Sequence, residues 1–365
     1  MKDRSSLRLS RLSIALVAAL ASAPTLAQNA SGQAQSADNQ TTTVQGGSQV
    51  SPSTTSNTTT ANDPRRIRDE DKIVVQGKKP SLGGGLMTEQ TAPKAVSTIS
   101  HDAIEKEAPG SNFTQAINSI PGVNSSTDDV TGLADGNYSL RGFAANEVGV
   151  TVNGAPISDS GSYQVYGTEY GDTQNYGDIT VEQGIPDIDQ PDSGAAGGHI
   201  AWATINPSHD AGVDFTQSLG SHDYERTFFR FNTGDTGPLR SWVSYSYNSV
   251  DKWRGAGDLN VYKIDGKSIW TINDDNSISA SLQFNHEVRD SYLSPTKDQV
   301  AKYGYYYDYD KTYAPGSDDA NFYALHTNPY SSYMYSMDGE FKVSDSIHLS
   351  VIPYYWWGDG GGGGG

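Results

Sequence analysis

Beyond Asn206 the chain is written in a period of two. Phe229 and Phe231, and then Val243, Tyr245 and Tyr247 set against Trp242, Ser244 and Ser246, place apolar and polar side chains on opposite faces of extended backbone. Strands of this kind are predicted at 212–219, 224–232, 241–250, 261–272, 277–289, 330–343 and 347–357. The connections alternate in length: 233–238, 273–276 and 344–346 are short, whereas 251–260 and 291–329 are long. The first outward turn, near Gly220-Ser221-His222, is brief and breaks that alternation. Tyrosine and tryptophan crowd the strand ends. A soluble sandwich and a membrane barrel share this period, so the preceding segments must decide between them.

Those segments begin with an export signal. Lys2, Arg4, Arg8 and Arg11 lead into an apolar run at 12–20 and small residues through Ala27, which predicts cleavage there and a signal peptide at 1–27. Its removal takes away four basic and one acidic side chain and moves the formal charge from −18 to −21. So acidic a surface argues against nucleic acid as a partner. The chain has no cysteine, which excludes a disulfide framework in an oxidising compartment. No other apolar run approaches the roughly 20 residues of a membrane helix. Membrane entry would therefore require a closed barrel of strands.

From 28 to 70 the chain is rich in Gln, Ser, Thr, Asn and Gly and then in charge, a composition expected of a flexible tether. Ile73, Val74 and Val75 form its first β-branched cluster, isolated ahead of Gly83-Gly84-Gly85. Such a segment can add to another protein's sheet, or serve as an edge strand of the domain that follows. A strand is predicted at 95–99. A helix capped by Ser100 should run through Glu107 and stop before Pro109, and a second should start near Ser111 or Asn112. The second places Phe113, Ala116, Ile117 and Ile120 on one face and ends at Pro121-Gly122. Strands at 138–142 and 148–152 should each expose one face, and Asn153-Gly154 supplies a tight turn.

Motifs at 71–206 follow a specific succession. Asp71-Lys72-Ile73-Val74-Val75-Gln76-Gly77 comes first, then Tyr138-Ser139-Leu140-Arg141-Gly142-Phe143 and Val150-Thr151-Val152-Asn153-Gly154. Ile179-Thr180-Val181-Glu182-Gln183-Gly184 and Gly194-Ala195-Ala196-Gly197-Gly198-His199-Ile200 complete it. In order and spacing these resemble the plug domain of TonB-dependent outer-membrane receptors. The resemblance implies an α+β plug domain at 86–206, followed at 207–365 by antiparallel transmembrane β-barrel strands. About 7 of the roughly 22 strands of a plugged transporter are expected, and hence a fragment whose seventh strand has an unpaired edge.

It also implies that Asp71, Lys72, Ile73, Val74, Val75 and Gln76 at 71–77 form the TonB box, which pairs with TonB and its inner-membrane energising complex. Arg141 and Glu182, charges within apolar strands, are expected to face charged groups of the barrel wall and hold the plug. Gly142, Gly184, Gly197 and Gly198 should allow close approach or positive φ. Tyr163, Tyr166, Tyr170 and Tyr176 on one loop, and Tyr305 and Tyr307 on the longest, are the candidate ligand contacts. Outer-membrane lipid is the expected surrounding and a ferric siderophore the expected ligand, with a saccharide or a cobalamin as alternatives. A ligand-binding or adhesive β-protein without energised transport is the rival class.

Enzyme motifs are missing. The seven histidines show no zinc spacing, and neither a G-x-S-x-G elbow nor a phosphate loop occurs. No catalytic residue, metal or cofactor is expected.

Overall fold

The structure is a computed structural model and describes residues 87–88 and 94–361, apart from 108–109, 135, 187–189, 192–193 and 316–319. The chain divides into Met1–Val74 and Val75–Gly365, and the described residues belong to the second unit. The expected signal peptide, tether and TonB box lie outside them.

The first part is a mixed domain. Its strands are β1 (Met87–Thr88), β2 (Val96–Ile99), β3 (Val123–Thr127), β4 (Gly136–Leu140), β5 (Phe143–Ala144), β6 (Val148–Val152), β7 (Ala155–Pro156), β8 (Tyr176–Gln183) and β9 (Gly198–Thr204). Six of them form one sheet in the order β1-β2-β8-β9-β6-β7, in which the β6–β9 pair is parallel, and β3-β4-β5 form a second. The short helices α1 (His101–Ile104) and α2 (Phe113–Ala116) complete it.

Helix α2 starts where expected because Asn112 accepts from the backbone N–H groups of Thr114 and Gln115, while Gln115 reaches back to the Asn112 N–H. It tightens into a 3-10 turn at Ile117–Ser119 before Pro121 and Gly122, the latter at φ 85°. Helix α1 begins after Ser100 as predicted but ends at Ile104, with 105–107 continuing as turns. The apolar face of α2 meets the sheet at a stacked pair, Phe113 on Trp202, with ring centroids 5.0 Å apart. Tyr138 meets Phe113 edge-on. Val150, Val152, Ile179, Val181 and Ile200 fill the space around them.

Strand β6 departs from expectation, because all five of its residues are buried. It lies between β9 and β7, with Val148, Val150 and Val152 in the core and Thr151 bonded to His199 on the other face. A strand covered on both faces has no solvent side to show. The Asn153-Gly154 turn forms as predicted, at φ 50° and 77°.

The second part is an antiparallel sheet: β10 (Ala211–Leu219), β11 (Glu225–Thr233), β12 (Leu239–Asp251), β13 (Asp258–Asn273), β14 (Asn276–Asp290), β15 (Thr327–Ser344), β16 (Ile347–Val351) and β17 (Tyr354–Gly360). Each strand from β10 to β15 pairs with the next, and β16 and β17 both pair with β15. The seventh strand is therefore present but broken at Ile352-Pro353. A proline cannot donate to the ladder, and the interruption turns Ile352 onto the core of the mixed domain.

The two-residue period sorts this wall as predicted. Phe231, Val243, Ile264 and Tyr335 are exposed on one face. Arg226, Ser244, Ser246, Asn248, Lys263, Asp265 and Asn285 are buried on the other, against the mixed domain.

Candidate functional site

Residues 169–175 run along the inner face of the wall. Two 3-10 turns, Gly167–Glu169 and Thr173–Asn175, fold the segment, and Asp172 caps the second by accepting from the Gln174 N–H at 2.9 Å. Side chains of six successive wall strands reach it. Thr216 on β10 accepts from the Gln174 amide at 3.0 Å. Arg226 on β11 donates to the Asp172 carboxylate at 2.8 Å and to Gln174 Oε1 at 2.9 Å. Also on β11, Arg230 donates to the Gln174 carbonyl at 3.0 Å. Ser244 on β12 accepts from Asn175.

Strand β13 contributes from both signs of charge. Lys263 donates to the Tyr170 and Gly171 carbonyls, and Asp265 accepts from the Asp172 N–H and the Asn175 amide at 2.8 and 2.7 Å. On β14 the Gln283 carbonyl oxygen accepts from the Gly171 N–H, and on β15 Ser332 donates to the Glu169 carbonyl. Further along the wall, Lys267 and Trp242 donate to the carbonyls of Thr204 and Ile205.

Beside Asp172 and Lys263 lies a cavity of about 10 Å³, lined also by Ser111, Thr168 and Asn248, which is room for about one water molecule. Burial works to raise the Asp172 pKa, yet the Arg226 guanidinium and the Gln174 N–H outweigh it and hold the carboxyl below its ordinary value. The charge is therefore kept, and kept paired.

A second cluster sits at the rim that carries the long connections. Lys252 and Asp308 are both fully buried and meet at 3.0 Å. Burial pushes the Lys252 ammonium below the usual lysine range despite the carboxylate beside it. Lys252 and Arg254 also donate to the carbonyls of Ser291 and Leu293, so the 291–326 connection is tied down. Helix α3 (Lys297–Tyr303), begun by a Thr296 capping box, lies within that connection. Trp253 packs among Tyr292, Tyr305 and Tyr306. Its indole N–H donates at 2.9 Å to the carbonyl of Asp128, in the mixed domain. That stretch is itself organised by Asp129, whose carboxylate accepts from the N–H groups of Gly132 and Ala134.

The residues singled out in the sequence fall into three groups. Gly142, Gly184 and Gly198 take positive φ, and a Cβ on Gly197 or Gly198 would strike Phe143 or the Glu182 carbonyl. Arg141 and Glu182 do not reach the wall among the described residues. Arg141 lies in a turn at φ 51° and bonds Gln183 at 2.7 Å, while Glu182 pairs with Lys94 at 2.7 Å, both inside the mixed domain. The anticipated aromatic loop divides. Tyr170 and Tyr176 are core residues whose hydroxyls donate to the carbonyls of Ile157 and Gly171, so neither offers a surface to a ligand.

Tyr163 is exposed and Tyr166 half-buried. Tyr305 is exposed beside Trp253, and Tyr307 stacks on Tyr303. The residues that hold the seam, Asp172 and Asn175 with Arg226, Arg230, Lys263, Asp265 and Lys267, went unnoticed in the sequence. Arg226/Arg230 and Lys263/Lys267 are each four apart on the polar register of an alternating strand, and that spacing was the available signal.

Residues 88–199 match the model of the TonB-dependent receptor plug domain. No curated protein sequence matches the chain. Among solved structures, the siderophore receptor PiuA from Acinetobacter baumannii aligns with a TM-score of 0.55 at 14% identity, covering 75% of this chain and 37% of that one. The open form of the ferric-catecholate import receptor Fiu from E. coli K12 aligns with 0.55 at 17% identity, covering 74% and 39%. The ferric yersiniabactin uptake receptor FyuA from Yersinia pestis aligns with 0.55 at 16% identity, covering 73% and 41%. The chain thus spans about two fifths of the length of these receptors. Residues 88–199 thus belong to the plug-domain family of TonB-dependent receptors, and the plug docked by its 169–175 segment on the polar face of an antiparallel wall has the fold of the matching part of these outer-membrane receptors.

Proposed function

We propose that this receptor binds a scarce extracellular solute, a ferric siderophore being the foremost candidate, and imports it when TonB pulls on the plug. The observation that carries this reading is the seam at 169–175. It closes the lumen side of the wall with hydrogen bonds and one buried ion pair, and no cysteine is present to add a disulfide link. Such contacts hold a stopper firmly and still let it be withdrawn as a unit. The names of the three aligned receptors point to ferric chelates as the cargo class. Accumulation against a gradient requires coupled energy, which TonB and its inner-membrane complex would deliver through the segment at 71–77. Tyr305 and Tyr306, exposed beside the half-buried Trp253, are the proposed outward-facing contact for the ligand.

The test is deletion of residues 71–76 in cells grown under iron limitation and supplied with radiolabelled ferric siderophores. Surface binding should persist while uptake stops. Uptake that continues unchanged would overturn the reading, and binding without uptake in either form would leave an adhesive surface protein.

A further inference from the structure

Four cations of the wall meet the plug, and the plug answers them mostly with neutral oxygen atoms. Arg226 and Arg230 on β11, and Lys263 and Lys267 on β13, all point to the plug side and are all buried. Three of the four hold plug carbonyls: Lys263 those of Tyr170 and Gly171, Lys267 that of Thr204, and Arg230 that of Gln174. Only Arg226 holds a plug carboxylate, that of Asp172. Between the two strands, β12 presents Ser244, Ser246 and Asn248, with Ser244 opposite Arg230, Asn248 opposite Arg226 and Ser246 opposite Lys263. The cations therefore face one continuous strip floored by small polar groups.

The wall's own carboxylates are already engaged or set apart. Asp214 accepts from the Arg230 Nε on a half-exposed side, and Glu287 pairs with Arg289. Asp265 stands next to Lys263 on the same face of β13 and Asp338 lies near Lys267. For Arg226 no wall carboxylate is in ion-pair contact among the described residues. Beside it lies the ring of Phe228, 5.1 Å from the guanidinium and 5.7 Å from that of Arg230.

We infer that Arg226, with Arg230, Lys263 and Lys267, lines the passage opened when the 169–175 segment withdraws, and that it selects an anionic, oxygen-rich cargo by exchanging the Asp172 carboxylate for an anionic group of that cargo. The inference rests on the import reading above. Withdrawal removes the plug's carboxylate and carbonyls together, which leaves the guanidinium without the counter-charge it had in the docked state. An anion arriving as Asp172 leaves restores the pairing, whereas a neutral or cationic solute leaves the cation unmatched. Clefts lined by one sign of charge concentrate the opposite ion by about tenfold or more. Cargo charge would thus be read inside the wall as well as at the outer loops.

The chain contains no cysteine, so Ser246→Cys introduces a single thiol into it beside Lys263 and Arg226. The receptor, as its own bacterium makes it, is treated in energised cells with two methanethiosulfonate reagents of similar size. One carries a sulfonate and the other a trimethylammonium group, and each rate is normalised to a free thiol. The sulfonate should react about tenfold faster. In the charge-neutral pair Arg226→Gln with Asp172→Asn, which strands no partner, that preference should fall toward unity.

Equal rates, a preference for the cation, or a preference unchanged in the paired variant would each overturn the inference while leaving import intact. Failure of both reagents to reach the thiol also overturns it, because a segment that never leaves uncovers nothing. Labelling that persists at full rate after deletion of 71–76 removes the energised reading instead, and a sulfonate preference retained there still supports the lining.

Discussion

Arg226 and Asp172 meet at 2.8 Å with both side chains almost wholly buried, and they belong to different bodies, one to the wall and one to the plug. A buried ion pair contributes little net stability compared with apolar packing of the same volume. Losing one member is costly, because the other stays charged and unpaired. Either Arg226→Ala or Asp172→Ala should therefore weaken plug docking by about 3–5 kcal/mol. The double variant should lose clearly less than the sum. Amide hydrogen exchange across 169–175 measures both quantities in one double-mutant cycle, and additive losses would show that the pair is not coupled.

The same pair sets an acid limit. The Asp172 carboxyl is held below its ordinary value in the folded protein, so its contribution is complete above the unfolded value near 3.9. It is lost as pH falls below that value and through the folded pKa. The part of the exchange protection at 169–175 that depends on Asp172 should accordingly be complete above about pH 4 and be lost below it. In Asp172→Asn that acid step should disappear. A collapse of the same size and position in the variant would assign it to other carboxylates.

Much of this arrangement was legible because it obeys local rules. The period of two in β12 separates Val243, Tyr245 and Tyr247 from Ser244, Ser246 and Asn248, and the structure keeps that division. The Asn153-Gly154 pair announces its turn for an equally local reason, its tolerance of positive φ. Tyr170 and Tyr176 were misread because a Gly- and Asp-rich stretch containing tyrosines looks like a surface loop. Their burial follows from 167–175 being pressed between the plug sheet and the wall, which is a relation between distant segments. Arg141 looked like a charge within a strand, whereas Gly142 at φ 90° follows it and the two make a turn. The partners of Arg226 lie more than fifty residues away in sequence, and a single sequence does not reveal such pairings.

Gly198 makes a stricter test of close packing. It stands at φ 142° at the start of β9, where an added Cβ would meet the Glu182 carbonyl and a methyl of Leu140. Backbone cannot yield as the end of a flexible side chain can. Gly198→Ala should cost about 1–3 kcal/mol of plug stability. A urea titration followed by near-ultraviolet circular dichroism would read the loss through Trp202 and Phe113, which stack in the core beneath it. The nearby Gly184→Ala meets no atom within van der Waals reach but also has positive φ, at 107°. It should therefore show backbone strain alone and a smaller loss.

Trp253 offers a way to ask whether the outer rim holds the plug. Its ring packs among Tyr292, Tyr305 and Tyr306, while its N–H reaches the Asp128 carbonyl at 2.9 Å. Trp253→Phe keeps an aromatic ring in the cluster and removes the donor. A net hydrogen bond contributes about 1 kcal/mol, so the amides of Gly132 and Ala134, which bond to Asp129 next to the lost contact, should exchange about fivefold faster. The seam amides of Gly171 and Asp172 are held by Gln283 and Asp265 on other strands and should not change. Loosening confined to 128–134 would establish Trp253 as a separate fastening between rim and plug. Equal loosening at both places would mean that the plug docks as one block with no independent hold at its rim, and unchanged exchange at both would mean that the indole hydrogen bond bears no part of it.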